Sequence, residues 1–277
     1  MTTFHVIIDS IFRVLSGVVP LSYGWASQIE DHILHFNSKI EMDYLITLIL
    51  SVAFFVYFRF DWLGLISAVA KTMINPKSIA KANRTLDQEV ILFLGCISVP
   101  LLLLRHWISP LIAEVEILSS PIVYGVLFLL SIGFLQFASR WNKRTKGLNH
   151  LRTIDALPIL LVSLLSLHPA FPFALVFWLG LSLTNYHYDA VFKYSMLLLG
   201  VQSFAHLFHL MGSVSLGGTL EVVGHLNAIA ATVVAFTFLW MTIDHLQKNL
   251  SENSFRSAQW FSFVAAVSSF ALHFLKG

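Results

Sequence analysis

Charge is what this sequence has least of. Of its 277 residues only 12% are Asp, Glu, Lys or Arg, against about 25% in an ordinary soluble domain. Hydrophobic residues make up 57% and the mean hydropathy is +0.76, which excludes a cytosolic globular enzyme. Cysteine is nearly absent too. Cys96 stands alone inside an apolar run, so there is neither a disulfide framework nor a thiolate metal cage, and Cys96 is expected to be a small buried hydrophobe. The alternating segments of about 10 residues that mark a closed β-barrel are missing as well. A basic surface for nucleic acid is also lacking. The formal net charge is +2, and the basic residues sit in short clusters between apolar runs, where the positive-inside rule accounts for them.

What remains is a series of long hydrophobic runs, and the expectation is an all-α polytopic membrane protein forming a single transmembrane domain over 1–277. Runs near the ~20 residues a membrane helix needs cover Tyr44–Phe58, Val90–Ala113, Ile117–Ala138, Ala190–Gly212, Leu220–Thr242 and Ala258–Phe274. These predict about six spans. Trp62–Ala70 reads as a continuation lying near the interface. Lys71, Lys77, Lys81 and Arg84 fall in one connection, Arg140, Lys143, Arg144, Lys146 and Arg152 in another, and Lys248 and Arg256 in a third; all read as cytoplasmic. The acidic stretch Glu30, Asp31, Glu41 and Asp43, and the pair Glu114 and Glu116, then fall outside.

Six spans fit these sides only if Ile154–Leu183 goes in and comes back. That segment is broken by His168-Pro169-Ala170-Phe171-Pro172, and prolines remove backbone donors and clash with the preceding turn. A re-entrant hairpin over 154–184 is therefore expected. Val6–Trp25 behaves similarly from the other side, with Asp9 and Arg13 at helical spacing and a break at Val19-Pro20, so a second hairpin is expected over 4–27. An acidic residue inside the apolar part makes a poor signal peptide. Two broken hairpins from opposite faces suggest an inverted repeat, with halves at 1–113 and 117–277, and such breaks point to a midplane site. Simple proline kinks within ordinary spans are the alternative.

With these elements in place, a family resemblance can be read. Ser16-Gly17-Val18-Val19-Pro20-Leu21-Ser22-Tyr23 resembles the first signature of the undecaprenyl pyrophosphate phosphatase family, roughly E-G-x-T-E-F-L-P-V/I-S-S-T-G-H. Val56-Tyr57-Phe58-Arg59-Phe60-Asp61 is similar to its V-x-Y-F-R-x-D. The second signature, P-G-x-S-R-S-G-x-T, lies without gaps over Pro169–Phe177, and the register continues to Asp189, Ala190, Lys193, Tyr194 and Ser195. Asn253-Ser254-Phe255-Arg256 resembles the H-S-F-R before the family's last helix.

The resemblance implies removal of phosphate from a polyprenyl pyrophosphate carrier lipid in a bacterial cytoplasmic membrane. It also implies an acidic cluster holding Mg²⁺ or Ca²⁺, with a Ser, a His and an Arg where two hairpins meet. Yet the signature glutamates fall on Arg13 and Gly17, the histidine on Ala26, the arginine on Phe173, and its flanking serines on Pro172 and Ala174. Only Pro20, Ser22 and Pro169 remain. Hard cations want several oxygen ligands, and losing one stabiliser of developing charge costs ~10²–10³ in rate. The expectation is a divergent, non-catalytic relative that binds or moves polyprenyl phosphate in envelope-polymer synthesis, with no metal cofactor. Membrane lipid is its expected partner, with a homodimer or an envelope-synthesis protein as further candidates. Its candidate ligand-binding residues are Arg13, Pro20, Ser22, Tyr23, His168 and Pro169.

Two other readings stand beside it: a phosphatase with a site rebuilt from Arg13, Ser22, Tyr23 and His168, and an assembly protein without lipid-phosphate binding. Arg13 either contacts a lipid phosphate or pairs with Asp9 one helical turn away. His168 could relay protons or be a hydrogen-bonded core residue. His206, His209 and His225 are candidates for a zinc site, with interfacial packing as the alternative. On this assignment of sides, single cysteines at Asn37 and Val115 should be labelled by an impermeant reagent from outside, and those at Asn75 and Asn149 only from inside. The opposite pattern would reverse the topology.

Overall fold

A computed structural model of the chain describes residues 3–18, 40–74, 84–115, 120–168, 170–248 and 252–276. Among these, regular structure is helical, apart from one isolated bridge between Lys146 and Tyr186. The helices are α1 (Thr3–Val18), α2 (Ile40–Tyr57), α3 (Arg59–Ile74), α4 (Leu86–Glu114), α5 (Pro121–Trp141), α6 (Ala156–Ser163), α7 (Phe173–Leu183), α8 (Tyr188–Met211), α9 (Leu216–Val223), α10 (His225–Lys248) and α11 (Glu252–Lys276). By length and composition α2, residues Leu86–Ile108 of α4, α5, α8 and α10 can each cross a membrane, and the protein is an all-α polytopic membrane protein. α11, at 25 residues, lies along α5.

Local chemistry starts these helices where the chain needs them. Thr85 caps α4 through a reciprocal capping box with Gln88, satisfying two backbone donors that a helix start leaves open. Ser120 caps α5 and Pro121 follows it, where proline's missing N–H does no harm. Several buried hydroxyls are absorbed by the ladder, with Ser10 donating to Val6 O, Ser51 to Thr47 O and Ser163 to Ile159 O.

The structure corrects two expectations. The run Leu220–Thr242 is not one span: the chain breaks at Gly224, with φ +86°, and α10 starts at His225. Hydropathy is blind to a left-handed glycine. Cys96 is exposed. On a membrane helix an apolar residue can face lipid, so lying in an apolar run does not imply burial in the bundle. Trp62–Ala70 falls within α3, and the ladder carries across Phe58 (Phe58 N to Phe54 O 3.1 Å, Trp62 N to Phe58 O 3.0 Å). α3 buries only Leu65 and Ala68 and exposes Phe60, Leu63, Ile66 and Met73.

The hairpin over 154–184 is present. α6 and a 3₁₀ turn (Leu164–Leu167) lead to the break, and α7 returns from it. At ~1.5 Å per residue, helices of 8 and 11 residues fall well short of the ~30 Å hydrocarbon core. Its tip reaches the start of α5, where the His168 ring lies 5.6 Å from that of Tyr124. Its base closes on the face it left. Lys146 N donates to Asn185 O and His187 N to Lys146 O, Asn142 donates to Tyr186 O, and Asn185 adopts φ +67°, a conformation asparagine tolerates well. The Tyr186 hydroxyl donates to Asp155 at 2.7 Å; burial first, and then the Asp155 carboxylate, push its pKa up.

This same face carries the basic connections. Thr153 N donates to Glu89 at 2.8 Å, Lys193 pairs with Asp61 at 2.5 Å, and the Tyr57 hydroxyl donates to Gln247 at 2.6 Å. Of the hairpin expected over 4–27, α1 alone lies within the described residues. It packs mainly on α10 and touches α2, α7 and α8.

The core runs through α7 and α8. Ala174–Ser182 are all buried, as expected of a helix that is hydrophobic all round, and Phe54, Phe93, Phe177, Tyr186 and Tyr194 fill the space around them. Elsewhere small residues set the approach of helices. α11 turns Ser262, Ala265, Ala266 and Ser269, all fully buried, inward at helical spacing, and Gly125 of α5 sits beneath Phe270; such surfaces let membrane helices come close. Gly180 plays this part inside the hairpin, since a Cβ there would lie 3.2 Å from the Ile159 Cα. Gly180→Val should therefore pry α7 from α6 and cost about 1–3 kcal/mol, read as a lower unfolding temperature in detergent. An unchanged temperature would show that the arms are not in tight contact.

Candidate functional site

Five helices converge on a cavity of about 200 Å³ at the end of the bundle opposite the basic connections. α1 supplies Arg13 and Ser16, α2 Asp43 and Thr47, α4 Arg105, α7 Phe173, and α8 Gln202, Ser203 and His206. Each reaches it for a local reason. Arg13 lies one turn after Asp9 on α1; Asp43 opens α2, where a carboxylate suits the helix dipole; Phe173 is the first residue after the hairpin break.

Arg13 is the electrostatic centre. Its Nε donates to Asp9 Oδ1 at 2.5 Å and its Nη1 to Asp43 Oδ1 at 2.6 Å. Arg13 is 4% exposed and Asp9 fully enclosed. The other oxygen of Asp43 meets His206 Nε2 at 3.3 Å, so a chain of polar contacts ties α1 to α2 and α2 to α8. Of the two roles open to Arg13, the structure realises the pair with Asp9 and adds a second carboxylate.

Two residues that sequence reasoning passed over also line the cavity. Arg105 makes no ion pair or hydrogen bond among the described residues, and its guanidinium stands 5.0 Å from the centre of the Phe173 ring. Gln202, 4% exposed, has no hydrogen-bond partner for either amide atom. Arg105 was detectable in principle, as an ionisable residue inside an apolar run. Nothing in the sequence distinguished Gln202.

The other candidates fare differently. Pro20, Ser22, Tyr23 and Pro169 lie outside the described residues. His168 is at the hairpin break rather than in the cavity; its Nδ1 accepts from Ala170 N at 3.1 Å, which holds the turn. The three imidazoles proposed for zinc are not brought together. His206 turns to Asp43, His209 faces the His106 ring at 6.4 Å, and His225 lines a separate depression with Leu45 and Ala228. Residues three apart on a helix diverge by about 60° around its axis, and no group of three or more His, Cys, Asp or Glu able to hold a metal ion occurs among the described residues. Mg²⁺ or Ca²⁺ does not fit the donor set either, because Arg13 sits on both cavity carboxylates where a cation would bind.

Removing one partner from a buried ionic network is costly. Arg13→Gln should lower stability by about 3–5 kcal/mol because Asp9 loses its countercharge, and Asp9→Asn in the same chain should restore part of the loss. Thermal unfolding of the single and double variants checks this, and equal stability of wild type and Arg13→Gln would refute it. No protein-family model and no curated protein matches this chain, so its function has to be argued from this cavity.

Proposed function

We propose that the protein is a divergent, non-catalytic relative of the undecaprenyl pyrophosphate phosphatases that binds or moves a polyprenyl phosphate carrier lipid in a bacterial cytoplasmic membrane. One observation carries this reading. The two weak signature likenesses, far apart in the chain, put Arg13 where the family has a glutamate and Phe173 where it has an arginine, and these two residues line one cavity. Two chance likenesses would have no reason to converge.

The same two replacements argue against hydrolysis. A guanidinium at position 13 fills the seat of a metal-binding carboxylate, and a phenyl ring at position 173 cannot grip a phosphoryl group bidentately. Each electrostatic stabiliser removed is worth ~10²–10³ in rate. What the cavity retains is a guanidinium without a direct ion pair, Arg105, among polar side chains that suit an anionic headgroup, next to helices whose apolar outer faces suit a long isoprenoid tail.

The reading predicts that purified protein binds undecaprenyl phosphate and releases no phosphate from undecaprenyl pyrophosphate in Mg²⁺, Ca²⁺ or Zn²⁺. Phosphate release that Ser22→Ala abolishes would establish a rebuilt phosphatase instead. Absence of lipid binding would leave an assembly role.

A further inference from the structure

Within this cavity two polar side chains have needs that no described protein atom meets. Gln202 is almost wholly enclosed, yet its amide donor and acceptor are both unpartnered. Arg105 lines the same cavity without an ion pair or hydrogen bond among the described residues; its guanidinium stands over the face of Phe173 and feels the charge of Asp43 at longer range. Buried polar groups are hydrogen-bonded as a rule, and exceptions call for a specific cause. Stability alone would favour apolar residues at both places.

We infer that Arg105 and Gln202 form the seat for a phosphoryl group, and that its ligand is a phosphomonoester. A guanidinium presents paired N–H donors that match two phosphate oxygens. The Gln202 amide nitrogen donates to a further oxygen. Its carbonyl oxygen is an acceptor and asks for a donor on the ligand. A monoprotonated phosphomonoester supplies both, oxygens to accept and a P–O–H to donate, whereas a phosphodiester has no hydroxyl on phosphorus. Arg13 is excluded as the seat because its charge is already met by Asp9 and Asp43, which moves the binding residue from the sequence candidate on α1 to α4 and α8. The same phosphate chemistry is offered by a lipid headgroup and by free phosphate. The lipid form rests on the carrier-lipid reading above.

The test uses the full chain in nanodiscs with three probes: undecaprenyl phosphate, inorganic phosphate and phosphatidylglycerol as a diester. The lipid monoester should bind wild type at least tenfold more tightly than the diester. Arg105→Gln should weaken it at least tenfold and Gln202→Leu severalfold. In the absence of ligand Gln202→Leu should melt at or above the wild-type temperature, because it removes an unmet buried amide; a residue with a purely structural role would lower it. Undiminished monoester binding by Arg105→Gln, or equal binding of monoester and diester, overturns the inference and leaves the carrier-lipid reading intact. Inorganic phosphate binding as tightly as the lipid, with Arg105→Gln still losing it, upholds the seat and removes the lipid. No binding of either monoester overturns both.

Discussion

An arginine held between two carboxylates, out of water, organises one end of this bundle. Asp9 and Arg13 share a helix face, but Asp43 comes from another helix, so the contact closes only when α1 lies against α2 in one register. Ion pairs in a low-dielectric interior gain little net stability once desolvation is counted. They penalise misplacement heavily, since any displaced arrangement leaves a bare charge. Through His206 the same constraint reaches α8. The position of the cavity therefore follows from where Arg13 can be neutralised.

The second constraint is backbone satisfaction at depth. A chain that enters a bilayer and turns back must leave peptide groups unpaired at the turn, and such backbone survives only where protein shelters it. Here the break after Leu167 is covered by Tyr124 and Phe128 of α5 on one side and by Phe12 and Leu15 of α1 on another. The local bond from Ala170 N to His168 meets one donor. Below it, α7 is enclosed on all sides, which is why its sequence shows no polar face. The connection at the hairpin base, from Asn142 to Tyr186, locks both ends of the excursion to one face. The hairpin is thereby a rigid post, and it presents Phe173 to the cavity at a fixed height.

These constraints give the cavity its character. Its carboxylates are held by Arg13, and with Arg105 counted the four charges cancel; what is left is a guanidinium without a direct ion pair, hydroxyls, and an amide that is unpartnered among the described residues.

Much of the architecture was legible before any coordinates. Long apolar runs and paired prolines specify most of the spans and the helical break within 154–184, because helix formation and membrane insertion depend on local composition. Arg13 was legible as an ionisable residue inside an apolar run. Other features were beyond one-dimensional reading. The left-handed turn at Gly224 splits a run that hydropathy scores as continuous, and Cys96 faces outward because apolar side chains are equally at home in lipid and in the core. That Arg13 takes a second carboxylate depends on Asp43, a residue on another helix. Arg105 and Gln202 gain their meaning from what does not reach them, and missing partners are a property of three-dimensional packing alone. Composition and periodicity determined that the chain is built of membrane-spanning helices; tertiary contact decided which charges pair and which polar groups are left without a partner among the described residues.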